Sequence, residues 1–160
     1  MSIPARVETE RLRLILITPD DAADMLAGRR QGRWHPDYPR QDDADVAATV
    51  RPGASPWGPR HVVYEQQAVG TIGFYGPPDE HDEVEIGYGL VQAVWRRGIA
   101  TEAIAGLLGE TDRIGVRVRA SVLPFNVMSL RVLAKSGFTE LRGSDEEGQL
   151  VMARPLPGSR

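Results

Sequence analysis

The chain has no cysteine, which excludes a disulfide scaffold, a thiolate zinc site and a cysteine nucleophile. It has no apolar run long enough to cross a membrane, so no membrane association is expected. Its opening residues, Met1 to Glu10, lack the apolar centre of a signal peptide, and a cytoplasmic protein is the resulting expectation. No sustained stretch of lysine and arginine offsets a net charge of −3, so nucleic acid is not an expected partner. His61 and His81 have no companions at metal-ligand spacing, and no metal is expected. There is no internal repeat, no low-complexity tract and no linker long enough to separate two domains. With 160 residues, 41% hydrophobic and 26% charged, the composition suits one domain spanning 1–160. A domain of that size buries roughly 70% of its unfolded surface, enough for a full core.

What is present is an ordered series of short elements. Leu12, Leu14 and Leu16 alternate on one face of a strand over Arg11 to Ile17. Thr18 then caps a helix with Pro19 at its first position, and Gly28 ends it. Arg29 to Gln41 reads as a polar and aromatic loop. A short second helix capped by Asp42 or Asp43 runs through Val50, and Arg51, Pro52 and Gly53 end it. Strands over His61 to Glu65 and Ala68 to Tyr75 meet at a turn of Gln66 and Gln67. A third strand covers Val84 to Val91, and a helix starts at about Thr101. Gly115 to Leu123 is again a strand. Asn126 to Lys135 is a helix with Val127, Leu130, Leu133 and Ala134 inward, closed by Gly137. Thr139 to Leu141 and Gln149 to Ala153 form a closing hairpin. Short links between the middle strands imply antiparallel pairing, whereas the later strand–helix–strand unit needs a parallel crossover. The expected fold is a mixed α/β domain, its six- to seven-stranded sheet flanked by helices on both faces.

The stretch Val84 to Leu108, VEIGYGLVQAVWRRGIATEAIAGLL, carries the chemistry. A strand feeds the loop Trp95, Arg96, Arg97, Gly98, Ile99, Ala100, and a helix follows. Gly98 permits a tight turn and Ala100 a close approach. The first amides of a helix lack internal partners and sit at its positive dipole end, so they bind anions. Arg96 and Arg97 add fixed charge beside them. Neither the lysine-bearing P-loop nor the dinucleotide glycine spacing is present.

On these residues the chain resembles the GNAT superfamily of acetyl-CoA-dependent N-acetyltransferases, and within it the RimJ/RimL-like (ribosomal-protein-alanine acetyltransferase-like) branch. TERLRLILITPDDAADM, VGTIGFYG, EIGYGLVQAVWRRGIATEA and NVMSLRVLAKSGF carry the resemblance. In the superfamily's Gln/Arg-x-x-Gly-x-Gly/Ala motif, Gly98 and Ala100 match, while Trp95 stands at the first position, as in the RimJ/RimL-like variant. That branch commonly has an aromatic residue where this chain has Gly89. The resemblance implies a GNAT-like fold with acetyl-CoA as co-substrate. Amides from Arg96 through Gly98, Ile99 and Ala100 to Thr101 would hold its pyrophosphate. Backbone groups of Leu90 and Val91 would pair with the pantetheine arm. Asn126 would touch the coenzyme, and Ser129 would lie near its sulfur. Arg96, Arg97, Arg131 and Lys135 would reach the 3′-phosphate or adenine end. Trp34, His35 and Tyr38 would line the acceptor pocket.

Acetyl transfer to an amine needs a free lone pair, a polarised carbonyl and a protonated leaving thiolate. An α-amine, with a pKa near ~8, gives up its proton at pH 7 for about 1–1.5 kcal/mol; a lysine requires about 4.6 kcal/mol. Glu85, on the strand before the coenzyme loop, is the expected base, with Glu83 second. Ser129 is the expected donor to the thiolate, and a backbone amide near Val91 the expected group on the carbonyl. The expected activity is N-acetyl transfer, by direct attack in a ternary complex, to a protein N-terminal α-amine or a small-molecule amine. The alternative is a non-catalytic acyl-CoA-binding domain. A monomer or homodimer is expected.

Overall fold

The alternating leucines form the expected strand, and their inward face sets the layer order of the molecule. The computed structural model describes residues 2–53 and 55–156. In chain order the elements are β1 (Arg6–Glu8), β2 (Leu12–Leu16), α1 (Pro19–Ala27), α2 (Gln41–Ala47), β3 (Arg60–Tyr64), β4 (Gln67–Phe74) and β5 (Glu83–Leu90). They continue with α3 (Ile99–Arg113), β6 (Arg117–Val122), α4 (Val127–Lys135), β7 (Glu140–Ser144) and β8 (Leu150–Arg154). The strands form one eight-stranded sheet in the order β1-β2-β3-β4-β5-β6-β8-β7. All neighbours are antiparallel except β5 and β6. The sheet is the expected mixed one, with one strand more: β1, three residues long, pairs Val7 with Leu14.

Register divides the side chains between two faces. Ile15 pairs with His61, His61 with Thr71, and Thr71 with Gly89, so these residues share one face. Helices α1 and α2 cover it: Asp21 of α1 meets His61 and Asp43 of α2 meets Thr71. The opposite face carries Leu12, Leu14, Val62, Ile72, Ile86 and Val118, all buried. Against it lies α3, through Ile99, Ala103, Ile104, Leu107 and Leu108. Gly106 lets α3 approach closely, since a Cβ there would come within 2.7 Å of Thr9. Helix α4 packs on α3 and β6. The core is therefore two apolar layers sharing one sheet.

Local chemistry explains the boundaries. Thr18 accepts the Asp21 amide, Pro19 opens α1, and Gly28 closes it at φ 73°, as expected. Helix α2 begins earlier than expected, because Asp43 sits at its third position and reaches back to the Arg40 amide at 2.9 Å. The β3–β4 turn is Glu65 and Gln66, at φ 48° and 69°, one residue before the expected pair. Helix α3 starts two residues before Thr101, immediately after Gly98. Among the described residues, no helix is long and apolar enough to cross a membrane.

Candidate active site

Beyond β5 a 3-10 turn at Gln92–Val94 leads to Trp95. The Trp95 indole donates to the Leu90 carbonyl at 2.8 Å and ties the loop to the strand. Arg96 takes φ 64° and Gly98 φ 74°, two left-handed residues that turn the chain sharply into α3. A non-glycine residue held there stores strain of the kind found at ligand clamps. Gly98 caps α3 without a side chain, and the first backbone bond of the helix runs from Glu102 to Gly98. The amides of Ile99, Ala100 and Thr101 thus precede every intrahelical bond and stay available to an anion. Arg96 and Arg97 are exposed beside them.

Arg11 is an addition that the spacing did not reveal. Its backbone and Nε both donate to Glu102 in the first turn of α3, and Thr9 donates to the same carboxylate. Nη2 of Arg11 lies 3.6 Å from where a Cβ on Gly98 would stand. These bonds hold the Glu102 carboxyl below its ordinary pKa despite the opposing effect of burial, and raise that of Arg11. A third cation therefore borders the turn, contributed by the β1–β2 connection.

The decisive geometry is between β5 and β6. They pair only where Glu83, Val84 and Glu85 face Arg117, Val118 and Arg119. Past that point no ladder joins them, and the sheet opens as a seam. On its other side β5 stays paired to β4, and Val91 donates its amide to Val69 at 2.8 Å. The same alternation turns the backbone groups of Tyr88 and Leu90 towards the seam. This corrects the expectation for Val91, whose amide and carbonyl are taken by Val69 and Val94; Leu90 supplies the amide that faces the opening.

A buried polar atom without a partner marks the same place. The Tyr88 hydroxyl is shielded from solvent and makes no hydrogen bond of ordinary geometry among the described residues. Burial raises its pKa, and the nearby Ser129 hydroxyl offsets part of that rise. Such an orphan in a packed region calls for a missing partner. Ser129 is thus brought beside Tyr88 of β5. Asn126 caps α4, its side chain accepting the Ser129 amide at 3.1 Å. Arg131 and Lys135, further along the helix, are exposed.

On the α1/α2 face a cavity of about 790 Å³ reaches this seam, with Arg40, Thr71, Tyr75, Gly87, Tyr88 and Gly89 among its lining residues. The expected pocket residues are elsewhere. Trp34 and Tyr38 are buried at 5% and 0% exposure, packed on each other and on His61 with ring centroids 5.7–6.1 Å apart. The backbone carbonyl of His35 accepts from Arg30 and its Nδ1 from the Asp37 amide. Trp34 and Tyr38, expected in a pocket wall, are core. Arg40, Thr71 and Tyr75 went unseen, although Gly87 and Gly89 alternating within a strand is a sign of close approach.

Glu85 and Glu83 lie in the paired half of β5. Arg119 donates to Glu85 Oε1 at 3.3 Å and to Glu83 at 3.0 Å, and Arg142 meets Glu83 at 2.6 Å. Glu85 Oε2 takes no part in the bond to Arg119. Among the described residues no group of acidic or histidine side chains is arranged to hold a metal.

Comparison with known proteins settles the lineage. A sequence model described as an acetyltransferase (GNAT) domain matches residues 11–139. The chain belongs to the GNAT acetyltransferase family. It is 36% identical over 75 residues to the uncharacterized N-acetyltransferase YoaA of Bacillus subtilis, a match covering 46% of this chain and 42% of that protein. The chain thus spans less than half the length of this curated relative. In fold, this GNAT domain is similar to the ribosomal-protein-S5-alanine acetyltransferase of Vibrio fischeri, with TM-score 0.68, 18% identity and coverage of 98% and 100%. It is also similar to the microcin C7 self-immunity acetyltransferase MccE, solved with acetyl-CoA and AMP, with TM-score 0.64, 17% identity and coverage of 91% and 93%. At those identities the likeness concerns the fold.

Proposed function

We propose that this GNAT protein is an N-acetyltransferase that moves an acetyl group from acetyl-CoA to a primary amine by direct attack in a ternary complex. One observation carries the reading: the β5–β6 seam opens towards an uncapped helix start, and Gly87, Tyr88 and Gly89 of β5 beside it line a cavity. Bound acetyl-CoA supplies an activated acyl thioester. The amides of Ile99, Ala100 and Thr101, flanked by Arg96, Arg97 and Arg11, suit a diphosphate. Tyr88 presents its backbone groups to an extended pantetheine as an added strand would, the Leu90 carbonyl being held by the Trp95 indole. The Leu90 amide suits the thioester carbonyl, where a fixed donor strengthens its bond as negative charge develops. Asn126, the cap of α4, contacts the coenzyme in this reading, and the Ser129 hydroxyl, near that of Tyr88, returns a proton to the departing sulfur. Glu85 takes the amine's proton through water, on Oε2. That is modest assistance and suits an α-amine, of a small molecule or a protein N-terminus, better than a lysine. A relative solved with acetyl-CoA supports the choice of donor.

The test joins binding to turnover. Acetyl-CoA at about 100 times its Kd should stabilise the wild type by about 2.7 kcal/mol, seen as a rise in Tm. Release of free thiol should require an added amine. Gly98→Val forces a β-branched residue to φ 74° and should lose the thermal shift and raise KM for acetyl-CoA at least about tenfold. A normal shift in that variant would remove the cradle from the account. Thiol release that ignores every amine would leave a binding domain, not an enzyme.

A further inference from the structure

Two glycines of β5 face the cavity, and each leaves room for a side chain from elsewhere. A Cβ at Gly87 would collide with the Tyr75 hydroxyl, and one at Gly89 would collide with Nη2 of Arg40, with Cζ and Nη1 at 3.0 and 3.1 Å. The Arg40 guanidinium therefore covers Gly89. It is held in place by Asp43, which accepts from Nε at 3.0 Å, from Nη2 at 2.8 Å and from the Arg40 amide at 2.9 Å. Asp43 is itself fully buried and accepts the Thr71 hydroxyl at 2.7 Å. Nη1 of Arg40 makes no hydrogen bond among the described residues, and Arg40 lines the cavity. The other charged lining residues, Asp42, Asp45 and Arg51, are exposed at the rim.

Resting on the acetyltransferase reading, we infer that Arg40 is a specificity-determining residue whose Nη1 binds a carbonyl or carboxylate oxygen on the carbon adjoining the acceptor's amine-bearing carbon. A guanidinium only donates, so its free nitrogen selects an oxygen. Asp43 offsets its charge, so a neutral carbonyl suffices and a carboxylate is also accommodated. Gly89 adjoins Leu90, about 3.3 Å along the strand. An oxygen on Arg40 thus lies only a few bonds from a nitrogen attacking at the Leu90 amide. A plain alkylamine has no oxygen to offer and leaves Nη1, on a side chain that is 29% exposed, to water, so the preference rests on exchanging that water for a charge-assisted bond to the acceptor.

The experiment compares alaninamide, alanine and isopropylamine, which share a skeleton and differ at the carbonyl, with rates referred to free-base concentration. Wild-type kcat/KM should favour the carbonyl-bearing amines. Arg40→Met should lower kcat/KM for them about tenfold, mainly through KM, and leave isopropylamine within about twofold. Gly89→Ala, which displaces the guanidinium without deleting it, should give the same pattern. The acetyl-CoA thermal shift, measured in each variant, reports an intact fold and cradle; if Arg40→Met lacks it, Gly89→Ala carries the comparison. Selective loss on alanine assigns a carboxylate, and selective loss on alaninamide assigns a peptide-like carbonyl. Equal loss on all three amines, or an unchanged preference in the folded variants, overturns the role of Arg40 alone. A wild type inert towards every amine overturns the acetyltransferase reading and this inference with it.

Discussion

The His61 ring shows how much a single side chain can hold. Nε2 faces Asp21 at 2.9 Å and Nδ1 faces the Tyr38 hydroxyl at 2.7 Å. A carboxylate only accepts, so Nε2 carries the hydrogen and Nδ1 accepts from Tyr38. Burial lowers the His61 pKa from 6.5, more than the Asp21 contact raises it. Between that lowered value and about 6.5 the unfolded chain binds more protons than the folded one, so stability falls as pH falls through that window. Urea unfolding at pH 7.5 and 5.5 should show this loss, at most about 1.4 kcal/mol per pH unit from one group. His61→Gln, less stable throughout, should show a shallower dependence, and an equal slope in both proteins would acquit His61. Because the family's early helices and the loop between them cover the acceptor side, the resemblance put Trp34 and Tyr38 at that pocket. Their partner His61 lies 23 residues beyond Tyr38, and no local pattern announces a pairing of that span. Arg60 is the same lesson. Fully buried, it ties Pro4, Leu14 and Pro56 through their carbonyls, and burial lowers its pKa to about 10.

At the scale of elements, what could be read was whatever local chemistry decides. Thr18, Pro19 and Gly28 bracket α1 because capping, a fixed φ and a left-handed stop are properties of those residues themselves. Asn126 before α4 is legible for the same reason. The start of α3 was placed late because Gly98 caps without a side chain and so leaves no polar signature. The β3–β4 turn was shifted by one because neither Glu65 nor Gln66 is a residue that favours positive φ. That mismatch is testable. Replacing the pair by Asn-Gly should stabilise the protein by about 1 kcal/mol, since glycine at the second position escapes a left-handed penalty of roughly that size that Gln66 bears. The denaturation midpoint should rise with its slope unchanged. No change would mean that Glu65 and Gln66 gain in tertiary contacts what they lose in conformation.

For the molecule as a whole, the antiparallel middle strands, the parallel crossover and the closing hairpin were all visible as link lengths. The three-residue β1 was not, because so short a strand has no periodicity of its own and exists only by pairing with β2. The tight turn into α3 was legible from Gly98. The seam was not, since it is an absence of pairing between β5 and β6 past Glu85 and Arg119. The cavity was hidden too, because α2 and Tyr75 meet only when the sheet assembles. Of the three tryptophans, Trp34 and Trp57 are buried, and Trp95, tied to Leu90, is 42% exposed. The protein therefore carries a built-in optical reporter at the mouth of the seam. Acrylamide should quench one indole readily and two poorly; saturating acetyl-CoA should protect the accessible one, and Trp95→Phe should erase the response. An emission spectrum indifferent to the coenzyme would mean that nothing docks beside that indole.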